Sequence, residues 1–297
     1  TIYEAPISFY KEKLDQQVLN YFKIKSKRQP NLLPWKKITK TVLSSKDSVK
    51  IAIIGKYVNL KDAYKSLDEA LTHGGIKNNL QINLIRIESD YLKVSEVKKK
   101  LAGVNGILIP GGFGKRGTEG KIAAISYARK NKIPFLGICF GMQMAVIEFA
   151  RNVLKIKKAS STEISKQCIP IVGLIDEWSK NGKVQKGTSK NLGGTMRLGL
   201  YPARLKESSL IKKIYKSRNI NERHRHRYEV NINYQKNFEE KGMSFSGISP
   251  DNKLPEAIEI KKHPWFIAVQ FHPEFKSRPL LPHPLFSSFI AAAKKNK

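Results

Sequence analysis

An α/β fold, an open parallel sheet covered by helices on both faces, is predicted for this chain of 297 residues. Three observations predict it. Short, mostly apolar runs, the pattern of strands in a covered sheet, occur at residues 49–55, 82–87, 106–109, 133–138 and 266–271. Helical patterns separate the earlier runs, at 62–71, 95–101 and from 140 onward. Two of the runs end abruptly in glycine-rich turns, Pro110-Gly111-Gly112-Phe113-Gly114 and Gly137-Ile138-Cys139-Phe140-Gly141. In sheets of this kind ligands sit beyond the carboxyl ends of the strands.

Residues 1–47 differ in pattern from the rest of the chain. Thr1 is not an initiator methionine, a helix is expected near residues 9–22, and residues 25–34 form a polar tail punctuated by prolines before Trp35 and further lysines. This stretch is expected to be the end of another domain plus a linker, with one domain over 48–297. The run at 49–55 ends in Gly55-Lys56-Tyr57, and the helical pattern through Asp62-Ala63-Tyr64-Lys65-Ser66 comes next. The turn after 106–109 is no P-loop, since Gly-x-x-x-x-Gly-Lys-Ser/Thr is missing from the chain.

The stretch around Cys139 has the layout of a nucleophile elbow, with cysteine in the nucleophile's place. Flanking glycines permit the sharp turn, and the apolar-rich helix after it aims its positive end at the sulfur. The N–H groups of Gly112 and Phe140 are expected to face that sulfur as an oxyanion hole. At the other end of the chain, the run at 266–271 leads into His272-Pro273-Glu274. Two residues apart on an extended chain, His272 and Glu274 share a face, so the carboxylate can orient the imidazole that serves Cys139. Together these residues suggest a Cys-His-Glu triad. Ser160 and Glu163 have capping-box spacing, so a helix cap is the first reading of Glu163. The glycine-rich run at 187–199 reads as a hairpin or mobile loop. Basic alternation at 222–231 reads as a solvated strand face or phosphate contact. His263 and His283 each precede a proline and are assigned no chemistry.

Composition constrains the rest. Apolar content is 40% and net charge is +31, from 43 Lys and 12 Arg spread along the chain. Nucleic-acid readers use Arg and interleaved aromatics in blocks, and no such block or zinc-finger spacing occurs, so a lysine-rich surface is preferred over nucleic-acid binding. Polyphosphate ligands or an acidic partner domain remain open as further sinks for the charge. No apolar run is long enough to span a bilayer and no signal-peptide pattern opens the chain, so no membrane contact is expected. The two cysteines suit a reducing, cytoplasmic setting.

The two glycine turns together with Phe271-His272-Pro273-Glu274-Phe275 resemble the class I glutamine amidotransferases. The runs Asp62–Ser66, Gly193-Gly194-Thr195-Met196-Arg197 and Arg223-His224-Arg225-His226-Arg227-Tyr228-Glu229-Val230-Asn231 narrow the resemblance to the CTP synthase family, over the whole chain. That resemblance implies a flavodoxin-like sheet of amidotransferase type and hydrolysis of L-glutamine by Cys139, His272 and Glu274. Gly112 would be the oxyanion glycine. Gln143, Glu163 and Arg227 would hold glutamine, which moves Glu163 from cap to ligand. The ammonia would pass to a synthetase domain that uses ATP, UTP and magnesium, with 1–47 as that domain's tail. The family implies a homotetramer when full length, no cofactor or metal on this chain, and GTP as allosteric activator through the glycine-rich stretch ending at Arg197. A stand-alone glutaminase, a nucleic-acid-binding module and a catalytically silent relative are the rival readings.

Overall fold

The computed structural model describes residues 1–26, 28–58, 60–174 and 196–297. At the N-terminus the expected helix over 9–22 is two helices, α1 (Ala5–Lys11) and α2 (Leu14–Tyr21), broken where Lys13 takes a left-handed φ of 56°. The polar tail gives way to a third, α3 (Leu33–Ser44), rather than continuing as linker. Its Pro34 falls in the first turn, where a missing N–H costs no helical hydrogen bond. Tyr3 and Ile38 are buried, and the Tyr3 hydroxyl donates to Glu69, tying this segment to the body.

The chain then alternates as predicted: β1 (Ser48–Gly55), α4 (Lys65–Lys77), β2 (Gln81–Glu88), α5 (Val97–Lys100), β3 (Gly106–Ile109), α6 (Thr118–Lys130), β4 (Phe135–Ile138) and α7 (Phe140–Asn152). The helix expected over 95–101 is shorter, a 3-10 turn at Val94–Glu96 leading into the single turn of α5. Next come β5 (Ala159–Ser161), β6 (Ile169–Leu174), β7 (Arg197–Leu205), α8 (Leu210–Tyr215), β8 (Asn219–His226), β9 (Tyr228–Val230), α9 (Gln235–Glu240), β10 (Met243–Ile248), β11 (Pro255–Ile260), β12 (Phe266–Val269) and α10 (Pro284–Lys295). Of the glycine-rich run, residues 187–195 lie outside the described residues, and from Arg197 the chain is strand rather than loop.

Among the described residues the main sheet has the order β2-β1-β3-β4-β12-β11-β10-β7-β8. The five strands from β2 to β12 pair in parallel, as expected. The sheet then continues through four antiparallel strands, an extension the parallel prediction did not include. Alternation along β1 sends Ile51 and Ile53 to a core with Leu71 and Phe286, and Ala52 and Ile54 to a core with Ile125 and Ile147. Helices α4 and α10 thus cover one face and α6 and α7 the other. A smaller sheet, β5-β6-β9, lies beside the latter. Ile109 pairs with Gly137, and Ile138 with Val269, so three neighbouring strands end side by side at one rim.

Candidate active site

Three chain segments leave that rim: the glycine turn after β3, the elbow after β4 and the His272 turn after β12. Cys139 has φ 51° and ψ −103°, a conformation L-residues rarely adopt. The surroundings enforce it. Its N–H donates to the Val269 carbonyl at 2.7 Å, and its own carbonyl accepts from Met142 and Gln143 as α7 begins. A Cβ on Gly141 would lie 2.2 Å from the Ile109 carbonyl oxygen, so the helix reaches β3 only with glycine there. Cys139 is 4% exposed and lies on an open cavity of about 600 Å³.

His272 is held at both ends. Its N–H donates to the Arg223 carbonyl at 2.7 Å, which ties the turn to β8. Its Nδ1 lies 2.7 Å from Glu274 Oε1. This contact was expected from an extended chain, but a 3-10 turn at Pro273–Lys276 makes it. Nε2 is buried without a completed hydrogen bond and faces the Cys139 sulfur. Burial pulls the imidazole pKa down, but Cys139 and Glu274 outweigh it and raise the value to about 10. His272 is therefore an imidazolium at neutral pH, between the Cys139 sulfur and the Glu274 side chain.

The sequence-predicted residues converge: Cys139, His272, Gly112, Gln143, Glu163 and Arg227 line one cavity, with Glu274 behind the imidazole. Phe140 is buried and opens α7, so its N–H belongs to the elbow, and the Gly112 Cα side nearest it is open. Glu163 is no helix cap, because no helix begins there. Its Oε1 accepts from the Gly114 N–H at 2.7 Å, joining the β3 turn to the segment after β5. Burial pushes its carboxyl up, against the pull of Gly114 and Lys56. Lys56 Nζ donates to the Phe113 carbonyl at 2.5 Å and braces the same turn. Arg227 is half-buried and makes no ion pair among the described residues, which leaves its guanidinium available to the cavity. In β8 the basic alternation splits by face, with Arg223 and Arg225 exposed and His224 and His226 buried.

Two neighbours of the site escaped sequence reasoning. A Cβ on Gly111 would lie 2.7 Å from His272 Cε1, so this glycine lets the imidazole in. Gln270 is fully buried, with Nε2 3.7 Å from Cys139 Sγ. Its signal in the sequence is an amide inside an otherwise apolar strand run. Among the described residues no cluster of His, Cys, Asp and Glu has metal-binding geometry, and no helix is long and apolar enough to cross a membrane.

Residues 59–292 match the family model described as glutamine amidotransferase class-I. The chain belongs to this family. As an amidotransferase it is 72% identical, over all of its own length, to 55% of a CTP synthase from Pelagibacter ubique (strain HTCC1062). It is 55% identical over 293 residues to a CTP synthase from Rhizobium johnstonii, 98% of this chain and 54% of that one. The chain thus spans about half the length of the curated relatives it matches. A solved structure titled as the glutaminase domain of Trypanosoma brucei CTPS with bound acivicin superposes with a TM-score of 0.74. It is 38% identical, and the match covers 83% of this chain and 94% of that one. The amidotransferase is therefore similar, nearly end to end, to a CTP synthase glutaminase domain.

Proposed function

We propose that this chain hydrolyses L-glutamine through Cys139, His272 and Glu274 and releases ammonia. The Cys139 thiolate, paired with the His272 imidazolium, attacks the side-chain amide carbon. A C–S bond forms, and the carbonyl electron pair moves onto oxygen, which the Gly112 and Phe140 N–H groups receive. Losing one such donor typically costs about 10²–10³-fold in rate. Collapse breaks the C–N bond as His272 passes its proton to the departing nitrogen, giving ammonia and a glutamyl thioester. His272 then takes a proton from water, whose oxygen attacks the thioester, and glutamate leaves as the thiolate returns. Glu274 holds the imidazole orientation throughout.

Arg227 grips the substrate α-carboxylate and Glu163 its ammonium. Gln143 supplies an acceptor, since its Oε1 is buried on the cavity wall without a partner among the described residues. The observation that carries this reading is a single imidazole wedged between sulfur and carboxylate at the ends of adjacent strands. The relatives' name, CTP synthase, supports a wider reading in which the ammonia is used to make CTP, and the sequence resemblance extends it to amination of ATP-activated UTP in a magnesium-dependent synthetase domain of a longer cytoplasmic, tetrameric protein. Residues 1–47 then form that domain's tail, residues 48–297 the amidotransferase domain, and GTP activates.

Acivicin, the ligand of the trypanosomal relative, provides the test. Mass spectrometry after incubation should find one adduct, on the Cys139 peptide, and none in Cys139→Ala, which should also release no ammonia from glutamine. Ammonia release retained by Cys139→Ala would remove the sulfur from the scheme.

A further inference from the structure

The Cys139 sulfur has a second polar neighbour that the triad does not use. Beside the sulfur lies the side-chain amide of Gln270, fully buried, with its backbone N–H bonded to the Glu256 carbonyl at 2.9 Å. An amide can present either a donor or an acceptor to a sulfur, and the two have opposite consequences for an anion. Here the choice is dictated two residues away. The Tyr228 carbonyl can only accept, so Gln143 must turn its NH₂ group there, at 2.8 Å. The same NH₂ gives its other hydrogen to Gln270 Oε1 at 3.3 Å. With its oxygen so engaged, Gln270 has only its NH₂ left for Cys139 Sγ, at 3.7 Å. The reverse orientation of both amides would set the Gln143 oxygen against the Tyr228 carbonyl in a buried site, where an unmade hydrogen bond is costly.

We propose that Gln270 is a further catalytic residue: its amide N–H steadies the Cys139 sulfur as an anion, and the Tyr228 carbonyl, acting through Gln143, keeps that N–H turned toward the sulfur. The assignment rests on the reading of Cys139 as nucleophile. It gives the sulfur two partners with separate tasks. His272 gives up its proton to the departing ammonia while the sulfur is held in the thioester, and regains one from water as the thiolate returns. Gln270 has no proton to lose and remains in place for the thiolate that thioester hydrolysis regenerates. Gln143 therefore serves the site twice, through its free oxygen in the cavity and as the positioning residue behind Gln270.

The test measures alkylation by iodoacetamide at neutral pH, tracked peptide by peptide, and needs no turnover. Cys168, the second cysteine of the chain, reacts in the same tube and serves as internal reference. In Gln270→Met, which keeps side-chain length without the donor, the Cys139 rate should fall about tenfold, the fold-change of losing a hydrogen bond to a charged group at about 1.5 kcal/mol. The Cys168 rate and the melting profile should stay as in the unsubstituted chain. Gln143→Met, which frees the Gln270 amide to turn, should also slow Cys139, and it decides the matter alone if Gln270→Met does not fold. A folded Gln270→Met, or failing that a folded Gln143→Met, that alkylates Cys139 within about twofold of the unsubstituted chain would overturn the assignment. An unsubstituted Cys139 no more reactive than Cys168 would instead overturn the nucleophile reading itself.

Discussion

Two buried clusters of histidine and glutamate, one at the turn after β12 and one built on β8, differ in charge state. In the first, His272 has Glu274 at 2.7 Å and the Cys139 sulfur on its other side, and its pKa is raised to about 10. In the second, His224 and His226 share a 2.9 Å contact, Glu229 lies 3.4 Å from His226, and Glu256 lies 3.7 Å from His224. Yet His224 is lowered to about 3, by burial first and then by Arg197 and His272, and His226 is lowered for the same kind of reasons. The carboxylates explain the difference. Glu229 and Glu256 are paired with the Arg197 guanidinium at 2.9 and 2.8 Å, and burial still pushes both carboxyls up, so they have little charge to offer the histidines. Glu274 has no other cation among the described residues, and its charge goes to the imidazole. A histidine beside a glutamate is thus not enough to make an imidazolium; the glutamate must be free to answer it. The first cluster sets its imidazole against the Cys139 sulfur and can move a proton, whereas the second, with His226 on the cavity wall, holds β7, β8, β9 and β11 together.

The contrast can be broken most severely at Glu274. Glu274→Gln should leave the fold intact and lower the rate of glutamine hydrolysis about 10³–10⁴-fold, as when the carboxylate behind a catalytic histidine is neutralised. Because Glu274 helps to raise the imidazole pKa, the alkaline limb of the residual rate should also move to lower pH. Unchanged kcat with an unshifted limb would place the proton elsewhere. In the second cluster, Arg197→Met should cost about 3–5 kcal/mol in urea unfolding by leaving Glu229 and Glu256 buried without their partner. Changing Glu229 and Glu256 to Gln alongside it should recover much of that loss. A single substitution near zero would mean that the cluster does not hold the strands. The gentlest test is the pH dependence of stability. His272 is raised above its unfolded value, so its contribution is complete below about 6.5 and is lost as pH rises toward about 10. His224 is lowered, so its contribution is complete above about 6.5 and is lost as pH falls toward about 3. Glu274→Gln should flatten the alkaline slope of the melting temperature and leave the acid slope alone.

The parts legible in sequence were those with local causes. Gly137 and Gly141 announced the elbow because a strained turn at Cys139 needs glycine on both sides. The pair His272 and Glu274 was legible from spacing, although a 3-10 turn rather than an extended chain closes it. Glu163 was misread from residues alone because a capping box requires a helix to cap, and the segment after β5 is a turn. Arg197 was hidden by its glycine-rich neighbours, since nothing local indicates that Glu229 and Glu256 will come from two distant strands to meet it. The antiparallel half of the sheet went unpredicted for a different reason. Most of its strands pair with near neighbours in the chain, but the buried histidines of β8 were masked by the exposed arginines between them.

The rim where β3, β4 and β12 end together carries one more implication. The thiol and the imidazole hang from adjacent strands matched residue for residue, Phe266 to Phe135 through Val269 to Ile138. A slip of one position would carry them apart by about 3.3 Å and turn alternate side chains to the wrong face. The reaction is therefore a gauge of alignment. A molecule whose central strands are out of step by a single notch keeps its helices and its sheet content, and is chemically mute.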